Sequence, residues 1–232
     1  MPKRNFRIGI IGGMGPMTGV LLQKLIIENT PASNDQNHIE VVCFTNPHIP
    51  DRTKSLQEDG GKKFAKAIID FIKVMEKSGV DLILIPCNTA HAKFNDIQQS
   101  TKIPILNMID ITLRKIRDSN SKIAGLLATD GTIASQIFNT NKNIKLILPD
   151  TNKQKVIMDI IYQIKSGKYD NIEIALKLNL FANLLNQKGA EKIILGCTEL
   201  SLYSSYISNK NVIDPLIELA KKAVKIAQKS FF

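Results

Sequence analysis

Apolar and polar positions along the chain follow two alternating periods. Short runs rich in β-branched residues, at 7–11, 40–44, 82–86, 103–106, 123–127, 144–148, 192–196 and 211–213, are separated by stretches whose apolar residues recur every three or four positions. Short runs between amphipathic segments predict βαβ units and a parallel sheet. The pattern also repeats. Phe64, Ile68, Phe71 and Met75 form a helical stripe, and Ile174, Leu178, Phe181 and Leu185 form the same stripe 110 positions later. Each stripe leads to a glycine, Gly79 or Gly189, where a helix C-cap is expected, and then to a strand and a cysteine, Cys87 or Cys197, in the same register. A looser match joins 9–15 to 125–131 as strand, tight turn and helix start.

The expected fold is therefore α/β, with two similar pseudo-symmetric domains, each a parallel sheet flanked by helices. The first domain is drawn at 1–109 and the second at 110–209; the segment 210–232 is assigned to the first because 211–228 resembles 103–114. Ligands of open parallel sheets bind beyond the carboxyl ends of the strands, so the active site is expected in the cleft between the domains, with both cysteines facing it.

Composition narrows the function classes. With 44% hydrophobic and 22% charged residues, the chain has the balance of a globular protein with a core. Lys3, Arg4 and Arg7 precede an apolar run as in a secretory leader, but Gly9, Gly12, Gly13, Gly15 and Gly19 interrupt it and no cleavage site is evident. No stretch approaches the roughly 20 apolar residues that span a bilayer. A cytoplasmic protein with no membrane partner is expected. The net charge of +10 raises nucleic acid as a partner, yet the lysines are scattered and there is no tryptophan or basic–aromatic motif. No nucleic-acid partner is expected; a general attraction for small anions is the milder consequence. Three cysteines argue against a disulfide framework and leave thiol chemistry, metal binding or core packing.

Cys43, inside the second strand, reads as a small core hydrophobe. Cys87 and Cys197 each sit where a strand meets a following helix, whose N-terminal dipole would favour a thiolate. Cys87 and His91 have a C-x-x-x-H spacing, but no second pair completes a metal shell, and no metal is expected. His91 either tunes the thiol from behind or bonds to backbone. The run Gly12-Gly13-Met14-Gly15-Pro16-Met17-Thr18-Gly19 fails the dinucleotide fingerprint at Thr18, and the second strand ends in Thr45-Asn46 without a ribose-binding acid. It remains a turn whose N–H groups suit a carboxylate. Arg52 lies on a proline-bounded loop at the second strand end, where it either forks onto a carboxylate or pairs with Asp51.

Six segments, IGIIGGMGP (8–16), NPHIPDRT (46–53), PCNTAH (86–91), LLATDGT (126–132), YQIKSG (162–167) and ILGCTEL (194–200), together resemble the aspartate/glutamate racemase family, most of all its aspartate and broad-specificity amino-acid racemase branch. They span nearly the whole chain in the family's order. The resemblance implies an isomerase that interconverts L- and D-aspartate, or a related amino acid, without a cofactor. It implies Cys87 and Cys197 as the catalytic pair and Arg52 and Lys165 as carboxylate ligands, with Lys168 a nearby alternative. It further implies Met14, Thr53, Asn88, Thr89, Ala90 and Thr198 as pocket walls, His91 and Glu199 as supporting residues, and a homodimer. Sister activities on this scaffold are glutamate or hydantoin racemisation, maleate isomerisation and arylmalonate decarboxylation. A two-domain protein that binds an amino acid without turnover is the reading from another class, and paired cysteines argue against it.

Overall fold

The computed structural model describes residues 5–140, 143–167 and 171–229. One parallel sheet has the order β2-β1-β3, built from β1 (Arg7–Gly12), β2 (Glu40–Thr45) and β3 (Leu82–Leu84). The other has the order β5-β4-β6-β7, built from β4 (Ile123–Ala128), β5 (Lys145–Ile147), β6 (Lys192–Gly196) and β7 (Val212–Ile213). The run at 103–106 is not a strand. A single bridge from Ile83 to Ile105 holds it beside β3, the place that β7 takes beside β6. Pro104 accepts the Ile83 N–H at 2.9 Å but has no N–H of its own to extend the ladder.

Nine α-helices of the described residues surround the sheets: α1 (Pro16–Asn29), α2 (Arg52–Asp59), α3 (Lys62–Lys77), α4 (Phe94–Gln98), α5 (Met108–Asp118), α6 (Asp130–Ala134), α7 (Thr151–Ser166), α8 (Asn171–Gln187) and α9 (Pro215–Lys229). No helix among the described residues is long and apolar enough to cross a membrane. The stripe of α8 is its buried face, and α3 buries Phe64, Ile68 and Met75 of its stripe but turns Phe71 to half-burial and buries Ile72 in its place; both helices end in the same way. Gly79 and Gly189 adopt φ of +64° and +96°, which glycine tolerates without the steric penalty of a Cβ. Val80 N–H then bonds Met75 O at 3.4 Å and Ala190 N–H bonds Leu185 O at 3.0 Å, the 6→1 closure of a Schellman cap. Each cap turns the chain directly into the strand that carries its cysteine.

The pleat of the strands sorts side chains between layers. Ile8, Ile10, Leu82 and Leu84 of the first sheet and Ala124, Leu126 and Ile194 of the second point into one shared core. Ile11 and Ile83 point outward onto α3, whereas Leu127, Ile193 and Leu195 point outward beneath α7 and α8. Between the sheets lie α1, α5 and α9. Their buried residues, among them Leu22, Leu113, Leu216 and Leu219, are fully or almost fully removed from water, each contributing about 1.5–3 kcal/mol. The C-terminal segment is divided: β7 pairs with β6 in the second sheet, while α9 packs on α1 and α5. The boundary expected at 109/110 falls inside α5, which itself touches β7. A helix that is apolar over a wide arc is satisfied only between two layers, so the last helix of each half leans on the other half.

Candidate active site

The two cysteine loops meet at the centre of the molecule. Thr198 Oγ1 donates to Pro86 O at 3.1 Å, and Thr18 Oγ1 reaches the same carbonyl at 3.3 Å. The residue after Cys197 is thereby tied to the residue before Cys87. Both cysteines are buried and reduced, at 5% exposure each, and both line one cavity. Met14, Arg52, Thr53, Asn88 and Thr89 complete it from the first half, and Lys165, Thr198 and Glu199 from the second. The room left among these side chains is about 10 Å³, no more than a single water requires. The cavity as it stands is too small for an amino acid.

Local structure fixes each group. Asp51 caps α2 by accepting the Lys54 N–H at 2.9 Å, which starts the helix at Arg52. Arg52 is 7% exposed and donates to Met14 O at 3.1 Å, Ile49 O at 3.2 Å and Pro50 O at 3.1 Å. It has no ion pair among the described residues, so the Asp51 pairing does not occur. A buried guanidinium held only by carbonyls has its charge unmatched and N–H groups left that could take an anion. Lys165, in the last turn of α7, lies 4.0 Å from Glu199. Burial opposes its charge, but Glu199 and the two cysteines outweigh that and hold its pKa above the ordinary lysine value. Lys168 lies outside the described residues.

Asn88 is 2% exposed, and neither its Oδ1 nor its Nδ2 has a partner among the described residues. Thr89 is spoken for: its hydroxyl joins those of Thr129 at 3.0 Å and Thr132 at 2.8 Å, a buried link between the halves. Ala90 belongs to the apolar core of the first half and does not line the cavity. His91 resolves to the backbone reading. Met108 N–H donates to Nε2 at 3.2 Å, so Nδ1 carries the proton and donates to Cys87 O at 2.8 Å. Both ring nitrogens are used, and burial lowers the pKa of His91. It anchors the Cys87 backbone and does not touch the thiol through a hydrogen bond.

Two expectations about charge change. The helix foreseen after each cysteine is a 3-10 turn, Thr89–Lys93 and Leu200–Tyr206, with a weaker dipole than an α-helix start. Moreover, Cys197 Sγ donates to Glu199 Oε2 at 2.9 Å, and burial together with Glu199 holds its thiol well above the ordinary cysteine value, against the pull of Lys165. The site favours a thiol there, not a thiolate. The glycine turn does bind a carboxylate, but it is the protein's own: Gly15 N–H donates to Glu199 Oε1 at 2.9 Å. Asp51, expected only as a partner for Arg52, and Thr129, not singled out from the sequence, also line the cavity. Both are N-caps, and their Asp-x-x and Thr-x-x placement before α2 and α6 is the signal that could have found them.

Two matched parallel sheets whose strand ends deliver paired cysteines and two cations to one closed cavity define a two-half α/β enzyme. The Asp/Glu/hydantoin racemase family matches residues 11–223, and the chain belongs to this family of isomerases. It is 31% identical over 224 residues to the broad specificity amino-acid racemase RacX of Bacillus subtilis (strain 168), covering 94% of this chain and 96% of that protein. Its fold superposes on the Picrophilus torridus aspartate racemase with a TM-score of 0.84 at 32% identity, covering 97% of this chain and 95% of the other. Glutamate racemase from Francisella tularensis subsp. tularensis SCHU S4, solved in complex with D-glutamate, shares the fold with a TM-score of 0.69 at 22% identity, covering 98% and 82% of the two chains.

Proposed function

We propose that this protein racemises aspartate, or a closely related amino acid, by proton transfer between its α-carbon and two cysteines, Cys87 and Cys197, without a cofactor. One observation carries the reading: two buried thiols from equivalent strand ends line a single cavity that also holds Arg52 and Lys165. Inverting an α-carbon requires a base on one face and an acid on the other. Paired thiols from pseudo-symmetric halves meet that requirement, one as thiolate and one as thiol, with the states exchanged in each turnover.

Arg52, already fixed by three carbonyls, presents its remaining N–H groups to the substrate carboxylate. Lys165 supplies the second cation, which favours a dicarboxylic amino acid. The unpartnered amide of Asn88 is available to the ammonium or to the carboxylate. An amino acid is several times larger than the present cavity, so the lining separates to admit it and closes afterwards, and closure strengthens the field acting on the carbanion. The substrate class and a homodimeric state are part of the same reading. The deciding experiment incubates the purified protein with each L-amino acid in D₂O and follows chirality and Cα deuterium together; light scattering gives the assembly. Inversion with uptake of one solvent deuterium is expected for aspartate or a near relative. Isomerised maleate without racemisation, or binding without exchange, would overturn the proposal.

A further inference from the structure

The two halves are alike in fold but not in the charge placed beside each sulfur. Residues 87–89 and 197–199 occupy equivalent positions in the repeat, so Glu199 stands where the first half has Thr89. The Thr89 hydroxyl is turned to Thr129 and Thr132, and Cys87 makes no hydrogen bond through its sulfur among the described residues. Glu199 is 3% exposed and held on both oxygens: Oε2 accepts from Cys197 Sγ at 2.9 Å, and Oε1 accepts from Gly15 N–H at 2.9 Å with Lys165 Nζ 4.0 Å away.

On the two-thiol reading above, we propose that Glu199 is a positioning residue that keeps the proton on Cys197, so that between turnovers this sulfur is held as the acid of the pair. A carboxylate that accepts a hydrogen bond from a thiol stabilises the thiol, and a thiolate at the same distance would be a like-charge contact. The other charged groups facing the pair are Lys165 from α7, Arg52 and Asp51 at the start of α2, and Cys87 itself. Lys165 offsets the repulsion when Cys197 becomes anionic. In that step the S–H bond of Cys197 breaks, its electron pair stays on sulfur, and the proton forms the new Cα–H bond. Cys87 has meanwhile gained the proton first taken from Cα. The resting state returns when Cys87 releases that proton to solvent and Cys197 takes one up, with no net change.

The test is site-resolved alkylation by iodoacetamide as a function of pH, read by mass spectrometry on the intact protein fold without substrate. In the wild-type protein the Cys197 midpoint should lie above that of Cys87. Glu199→Gln removes the charge and keeps the shape; it should lower the Cys197 midpoint by about one pH unit, seen as roughly tenfold faster alkylation below it. The Cys87 midpoint should move less. In activity, the high-pH limb of kcat/KM should shift down with Glu199→Gln, which a purely structural role would not produce. Equal wild-type midpoints, or an unmoved Cys197 midpoint in Glu199→Gln, would overturn the proposal. If Glu199→Gln loses its circular dichroism, Glu199→Asp serves instead: it keeps the charge and should keep the Cys197 midpoint above that of Cys87, and loss of that gap would equally overturn it. Alkylation needs no turnover, so absence of racemisation would sink the proposed function while leaving this result to be judged separately.

Discussion

Replacing Arg52 with lysine isolates the forked geometry from the charge. The guanidinium is 7% exposed and spends three N–H groups on Met14, Ile49 and Pro50 carbonyls, which leaves two for a ligand. Lysine retains the positive charge but offers three donors from one atom, and it cannot span those carbonyls while also gripping a carboxylate with two bonds. One charge-assisted hydrogen bond to the substrate is therefore lost, about 1.5–3 kcal/mol, which is roughly 10- to 150-fold in kcat/KM. The fold should lose a comparable amount, about 1–3 kcal/mol, because the ammonium satisfies only part of the carbonyl set. Chiral chromatography of aspartate racemisation gives the first quantity, and urea unfolding gives the second. Arg52→Lys with wild-type kcat/KM on every racemised amino acid would refute the assignment of Arg52 to the carboxylate.

The remaining predictions concern the thiols, the buried histidine and the glycine caps. Cys87→Ser or Cys197→Ser should each lower racemisation by about 10²–10⁴-fold, as expected for one acid–base group, while each variant still exchanges the Cα hydrogen of only one enantiomer into D₂O; near-normal racemisation by either would exclude the two-thiol mechanism. His91 is held neutral by burial, with its folded pKa below the unfolded value, so its contribution to stability is complete above about pH 6.5 and is lost as the pH falls. His91→Gln should flatten the stability slope below about pH 6.5 in urea titrations. Gly79→Ala and Gly189→Ala force a Cβ into left-handed backbone and should each cost about 1–2 kcal/mol by thermal unfolding; a cost at only one would mean that the two caps are not energetically equivalent.

Much of this protein was legible before any coordinates. The 110-residue repeat of stripe, glycine, strand and cysteine reflects local rules, since a helix face, a left-handed cap and a buried strand each impose a residue type at a fixed spacing. Those rules located the two sheets, the placement of Cys87 and Cys197 at strand ends, and Arg52 beside them. Local rules end where a residue's partner is remote in sequence. Pro104 removed a predicted strand through one missing N–H in a ladder, and the wide apolar faces of α5 and α9 blurred the domain boundary, because a helix covered on both sides belongs to two layers at once. The site changed most. Only the folded chain brings Glu199 within 2.9 Å of both Gly15 N–H and the Cys197 sulfur, and a protonation state depends on burial and neighbouring charge, which spacing along the chain does not encode. The sequence by itself determined that the two cysteines follow equivalent strands and meet one cleft. The tertiary structure decided which of the two sulfurs has a carboxylate beside it.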